Sequence, residues 1–168
     1  MAKTAADLLN ELARLGIPFS LSRHPAFFTA KDSLRHKKPG ETGHGKCLML
    51  ADRRDNVVLA SVLEEKRVDL KKLSHQLGLG RFSFAPPERL EGLLGVPPGA
   101  VTPYALVNLP KDVAPFAATF QVALDKDLLA HPKVYFHPLH NQATIGVAPE
   151  DLLKFLRAFG PEPKLVEA

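Results

Sequence analysis

Three stretches of the chain carry residue types suited to chemistry. Lys46 opens the apolar run "KCLML", directly after glycines at 43 and 45. His137 sits in "FHPLHNQAT", with Asn141 four residues on. Between them lies "GVPPGAVTP", residues 95–103, which sets two glycines and three prolines into nine positions. A lysine entering a strand beside glycines supplies a fixed cation, suited to a phosphate or a developing oxyanion. An imidazole orients groups or moves protons near neutral pH. In the loop, Gly99 lets the backbone approach a ligand closely and Pro103 fixes the exit. Each feature also has a structural reading. A strand-end lysine reaches solvent, a histidine between strands is hydrogen-bonded, and an asparagine completes a turn. The residues by themselves leave both readings open.

Other chemistries find less support. No G-x-S-x-G elbow is present, and no Cys–His signature surrounds the single cysteine, Cys47. Strand alternation turns Cys47 to the face opposite Lys46 and Leu48, as a buried structural thiol. His131, His137 and His140 in "HPKVYFHPLHN" match no established zinc spacing, and Pro132 and Pro138 keep them off a helix. Neither a Walker loop nor a dinucleotide glycine fingerprint appears. No metal and no cofactor is expected.

The elements that must position these residues follow from periodicity and punctuation. Leu8, Leu9, Leu12 and Leu15 predict an amphipathic helix over 4–15, ended near Gly16. "IPFSLSRH" is extended, held out of helix by Pro18 and Pro25. Thr29 caps a short helix through about Arg35. "GKCLMLAD" and "DNVVLASVL" form a strand pair joined by "DRRDN". Residues 69–78 make a second amphipathic helix, "RFSFA" a brief strand, and Pro86 or Pro87 starts a helix through Leu94. "FQVALDKDLLAH", "KVYFHPL" and "QATIGVA" are extended or partly extended segments. Pro149 opens a final helix with an apolar stripe at Leu152, Leu153, Leu156 and Phe159, and "GPEPKLVEA" is a fraying tail. Strands in adjacent pairs between separated helices favour an α+β fold, a mixed, largely antiparallel sheet with helices packed around it. Residues 1–160 read as a single domain and 161–168 as a C-terminal tail.

The 168 residues are 45% hydrophobic and 24% charged, enough for one domain with a sizeable core. The apolar runs fall well short of the roughly 18 residues of a membrane span, and the N-terminus lacks a signal-peptide pattern. The expectation is a soluble, cytoplasmic chain without a membrane partner. The net charge of +4 is a mild excess that suits a polyanion or an ordinary solvated surface equally. Residues 31–46 concentrate it, with five Lys/Arg and two His against two acids.

Four stretches in order, "HPAFFTAKDS" at 24–33, "GKCLML" at 45–50, "GVPPGAVTPYALVN" at 95–108 and "FHPLHNQATIGV" at 136–147, resemble the YbaK/ProX family of aminoacyl-tRNA editing domains. The resemblance spans roughly residues 4–158 and is closest to the ProX branch, which removes alanine mischarged onto tRNA for proline. It implies a freestanding deacylase of Ala-tRNA(Pro) that binds the tRNA(Pro) acceptor end. Prolyl-tRNA synthetase is implied as a second partner, with no role for DNA. The family lysine falls on Lys46, its G-x-x-x-P loop on Gly99, Ala100, Val101, Thr102 and Pro103, and its late histidine on His137, with Asn141 in the same motif. Lys46, Gly99 and His137 are the implied catalytic residues. Phe28, Thr29, the loop, Asn108 and Asn141 are the implied substrate contacts. Alternatives are a Cys-tRNA(Pro) or other small-aminoacyl-tRNA deacylase, or a non-catalytic module that binds tRNA or a synthetase.

Overall fold

The computed structural model describes residues 2–26, 31, 32, 35 and 37–168. Phe28 and Thr29, the expected cap of a short helix, lie outside the described residues, while 31, 32 and 35 are helical. Helix α1 (Ala5–Arg14) opens with a reciprocal cap: the Thr4 hydroxyl accepts from Asp7 N–H at 3.2 Å and the Asp7 carboxylate accepts from Thr4 N–H at 2.8 Å. Gly16, at φ 71°, turns the chain out of it. Strand β1 (Ser20–Arg23) follows, then the hairpin of β2 (Gly45–Ala51) and β3 (Asn56–Leu63). The hairpin turn is organised by Asp52, whose carboxylate accepts from the amides of Arg54, Asn56 and Gly80 at 2.9–3.1 Å. Burial raises the proton affinity of Asp52, but the hydrogen bonds from Asn56, Gly80 and Arg54 outweigh it and hold the carboxyl below its usual range.

Helix α2 (Leu70–Gln76), capped by Asp69, strand β4 (Ser83–Phe84) and helix α3 (Pro87–Leu94) complete the first half. Pro87 takes the first helical position of α3, where its missing N–H has no partner to lose, and Gly95 closes the helix at φ 65°. The second half holds a 3-10 helix (Pro103–Asn108), β5 (Thr119–Asp125), a second 3-10 helix (Lys126–Ala130), β6 (Val134–Phe136), β7 (Ala143–Val147), α4 (Pro149–Phe159) and β8 (Lys164–Val166).

These strands make two sheets, in the orders β1-β7-β6 and β4-β2-β3-β5-β8. The first is antiparallel throughout; the second is mixed, with β3-β5 and β5-β8 parallel. The fold is α+β, as the pattern predicts. The main core lies where Met49, Val57, Leu59, Ile145, Phe136 and Phe155 meet. A second core forms on the other face of the larger sheet, where Leu50, Val58 and Ala60 meet Leu73 of α2 and Leu77 at its C-cap. β3 is therefore covered on both faces, which accounts for its unbroken apolar run.

Two expectations change. Residues 164–166 are not a fraying tail: they pair in parallel with Ala123–Asp125, and Val166 is buried in the second core. The extended reading of "FQVALDKDLLAH" holds only to Asp125, whose carboxylate caps the following 3-10 helix.

Candidate functional site

The Gly/Pro loop and the histidine stretch are joined directly. Ala100 N–H donates to Pro97 C=O at 3.1 Å, closing a turn with Pro98 at its second position and Gly99 at φ 89° at its third. That is the geometry in which proline then glycine is favoured, and the positive φ strains any other residue at 99. Gly99 is exposed, and a Cβ built there meets nothing within 4 Å. Beyond it the loop turns inward. Ala100 and Pro103 are buried, Val101 packs against the main core, and Thr102 is fully buried. The Thr102 hydroxyl donates to the His137 carbonyl at 2.7 Å, tying the loop's second half to the histidine.

His137 leaves the end of β6 into a turn that runs to β7. Its Nδ1 lies 2.9 Å from the Ala143 carbonyl. A carbonyl oxygen only accepts, so Nδ1 carries the proton and Nε2 holds the lone pair of the neutral ring. Burial pushes the proton affinity of His137 down; the Ala143 carbonyl and Glu64 pull it up, and His24 and His140 add to the lowering, which prevails. The ring is thus kept neutral further into acid than a free imidazole. Within the same turn Leu139 adopts φ 71°, a conformation that costs a branched residue about 1–3 kcal/mol, and packing of its side chain on the main core holds it there. Asn141 is half-buried in this turn.

Lys46 is on the β2–β3 hairpin, paired with Val62 across the ladder, and its Nζ donates to the Lys66 carbonyl. Glu64, whose charge acts on His137, closes the same hairpin end by donating its N–H to the His44 carbonyl at 2.9 Å. The hairpin end and the histidine turn therefore face one another, although among the described residues no contact joins Lys46 to His137 or to the loop. The glycines that flank Lys46 do different work from the flexible approach their composition suggests. A Cβ at Gly43 would lie 2.2 Å from the Lys133 carbonyl and one at Gly45 2.1 Å from the Phe136 ring, so both are dictated by the close approach of β6.

Asn108 stands apart, at the far end of the 3-10 helix from Thr102. Its side-chain oxygen accepts from Lys3 N–H at 2.7 Å and its amide donates to the Leu94 carbonyl at 3.0 Å, which clamps the chain's start to the end of α3. Cys47 faces the main core as expected, with Sγ 3.4 Å from the Ser61 hydroxyl, and burial pushes its thiol up to about 12. Among the described residues, cavities of about 310, 650 and 320 Å³ border the Asp52 turn, α2 with Phe82, and the Lys3–Asn108 corner. Among the described residues no group of three His, Cys, Asp or Glu is arranged to hold a metal. None of the helices described is long and apolar enough to cross a membrane.

Two residues at the site escape the sequence argument. His24 packs its ring edge-on to His137 at 6.1 Å between centroids, and Thr144 hydrogen-bonds His24 at 2.8 Å. The signal for His24 was available, since it opens the stretch "HPAFFTAKDS". Thr144 carries none beyond β propensity.

A two-sheet α+β fold ties a glycine–proline loop to the backbone of a histidine that burial keeps neutral. The chain belongs to the aminoacyl-tRNA editing domain family, whose model matches residues 24–155. It is 35% identical over 163 residues to a mouse prolyl-tRNA synthetase associated domain-containing protein, covering 94% of this chain and 92% of the relative. It is 29% identical over 163 residues to the prolyl-tRNA editing protein ProX of Acetoanaerobium sticklandii, covering 95% and 94%. A solved structure described as a candidate trans-editing enzyme for prolyl-tRNA synthetase shares the fold, with TM-score 0.73 and 23% identity over 99% of this chain and 98% of the other.

Proposed function

We propose that the chain is a freestanding trans-editing hydrolase that deacylates mischarged tRNA(Pro), with Ala-tRNA(Pro) as its preferred substrate, and that it acts as one editing domain, β8 included, in the cytoplasm. The observation that carries this reading is the hydrogen bond from the Thr102 hydroxyl to the His137 carbonyl, which ties the loop after the Gly99 turn to the backbone that bears the His137 ring. The relatives' names point the same way.

An aminoacyl ester is already activated, so the protein's task is to position water and stabilise a tetrahedral oxyanion. The N–H of Ala100 is spent within its turn, whereas those of the exposed Gly99 and the half-buried Val101 give no hydrogen bond among the described residues and are the donors left for the reacting carbonyl. Lys46 holds the terminal phosphate or the ester end, exchanging the Lys66 carbonyl for substrate. The substrate's vicinal hydroxyl activates the water, and the Nε2 lone pair of His137 orients it or assists proton transfer. Phe28, Thr29 and Asn141 complete the wall, with Pro103 bracing the loop. The wall selects alanine by size: a synthetase built for proline gains only a few kcal/mol against a smaller residue, and a second, tighter pocket reverses the choice. Asn108, held in its clamp, acts on substrate only through the loop.

The test is deacylation of a panel of tRNA(Pro) charged with alanine, cysteine or proline, with Ala-tRNA(Ala) as control. Selective hydrolysis of Ala-tRNA(Pro) supports the reading. Equal rates on alanine and proline would sink size exclusion, and preference for cysteine would move the chain to the cysteinyl branch. Lys46→Ala should weaken apparent affinity or rate at least tenfold; an unchanged enzyme removes Lys46 from the site.

A further inference from the structure

His24 N–H donates to the Gln142 carbonyl at 3.1 Å, which extends the β1–β7 pairing by one residue and brings its ring over the start of β7. Both ring nitrogens are engaged. Nδ1 lies 2.8 Å from the Pro25 carbonyl and Nε2 2.8 Å from the Thr144 hydroxyl. A carbonyl cannot donate, so Nδ1 bears the proton; the neutral ring's Nε2 is then an acceptor, and the Thr144 hydroxyl donates to it. His137 follows the same logic one residue earlier, with Nδ1–H on the Ala143 carbonyl. The Pro25 carbonyl therefore sets the tautomer of His24 and the Ala143 carbonyl that of His137, while Thr144, next to Ala143, is tied to His24, and the two rings meet at an interplanar angle of 63°. Among the described residues, the charged and titratable groups that act on His137 are His24, His140 and Glu64, and Arg23 and His24 act on His140 in turn.

We propose that His24 is a positioning residue for His137. By clamping Thr144 it holds the Ala143 carbonyl where it fixes the Nδ1–H tautomer of His137 and turns the Nε2 lone pair to the site. Its charge acts on the neighbouring ring in the direction that opposes protonation of His137. His24 does not touch substrate. The proposal rests on the reading of His137 as a group of the deacylation site.

Two readouts keep the inference separate from that reading. The first is histidine side-chain NMR on the full-length protein without substrate, followed through pH. Wild-type His137 should show one tautomer, protonated at Nδ1. In His24→Phe, which keeps the ring edge and loses both hydrogen bonds and the charge, the His137 tautomers should mix and its titration midpoint should rise. In His24→Gln, whose amide oxygen can still accept from Thr144, the tautomer should stay pure while the midpoint still rises. The second readout is kinetic: with Ala-tRNA(Pro), His24→Phe should lose about tenfold in kcat with KM unchanged, and His24→Gln should recover most of it. If His24→Phe fails to fold, Thr144→Val supplies the same NMR test, with mixed tautomers expected. A His137 tautomer and midpoint that remain at wild-type values in these variants overturn the proposal. So does a kcat loss in His24→Phe without any change at His137, which would make His24 a direct participant. If wild type deacylates nothing, the functional reading fails while the NMR result still decides the role of His24.

Discussion

Two clusters of titratable side chains sit on opposite sheets and are built on opposite principles. At the end of β3, Lys66 Nζ pairs with Asp125 at 2.9 Å and with Asp127, and Asp125 also accepts from the amides of Leu63 and Asp127 at 3.4 and 3.1 Å. Asp125 is wholly buried. Burial lowers the proton affinity of Lys66, yet Asp127 and Asp125 outweigh it and keep the ammonium charged beyond its ordinary range. In this cluster opposite charges cancel and lock β3, β5 and the second 3-10 helix together. Around β7, by contrast, His24 and His137 are held by two carbonyls and a hydroxyl, and burial keeps His137 neutral. Charge that cancels makes a rivet; an imidazole pinned by its Nδ1–H keeps a lone pair aimed elsewhere. The comparison teaches that perturbed titration alone does not mark a site.

The largest effect should come from removing the lone pair. His137→Ala is expected to lower kcat/KM on Ala-tRNA(Pro) by about 10²–10⁴-fold, the range for a lost acid–base or orienting group, with the urea midpoint little changed. Steady-state deacylation beside an unfolding titration checks both halves. A variant that loses stability and keeps activity would make the β7 cluster a second rivet.

The converse experiment is Lys66→Met. Removing one partner of a buried pair leaves Asp125 uncompensated, and the expected cost is about 3–5 kcal/mol of unfolding free energy. Deacylation per folded molecule should stay near wild type. Lost activity at unchanged stability would bring this cluster into the site, where Lys46 already reaches the Lys66 carbonyl.

Much of this was legible in the sequence because the signals are local. The Thr4 cap, Gly16, the 45–63 hairpin, Pro87, Pro149 and the Pro98–Gly99 turn each follow from the residues that make them. Long-range pairings were not. Nothing in "KLVEA" announces a parallel partner in β5, so the C-terminal strand looked like a tail. The positive φ of Leu139 was hidden for a different reason: leucine has no preference for that conformation, and only core packing imposes it. The need for glycine at 43 and 45 is equally hidden, because the Lys133 carbonyl and the Phe136 ring that forbid a side chain there come from a segment about 90 residues on. The clamp at Asn108 was hidden as well, because its two partners, Lys3 and Leu94, are 105 and 14 residues away.

The two clusters should also separate along the pH scale. His137 has its folded-state proton affinity lowered below the ordinary 6.5, so the unfolded chain binds more protons in the window just beneath that value. Stability therefore rises with pH through that window and falls as acid is added. Lys66 has its affinity raised above 10.5; its contribution is fully present below that pH and is lost as pH climbs through the folded-state value. Urea midpoints measured across pH should show an acid slope that His137→Ala flattens and an alkaline slope that Lys66→Met flattens. Exchange of the two assignments would break the comparison.

The smallest effect tests the boundary between the clusters. Cys47 lies one residue from Lys46 on β2 but faces the main core, and its thiol is pushed up to about 12 by burial, against which the Ser61 hydroxyl and the Leu48 backbone only partly pull. At pH 8 almost none of it is thiolate, so alkylation should be slow on the native protein and fast in denaturant. Cys47→Ala removes one buried sulfur and should cost about 1 kcal/mol, with deacylation unchanged. The neighbouring Lys46→Ala has the opposite signature, activity lost and stability kept. If alkylating Cys47 in the folded state abolished deacylation at native stability, the alternation that separates the two faces of β2 would no longer separate structure from chemistry.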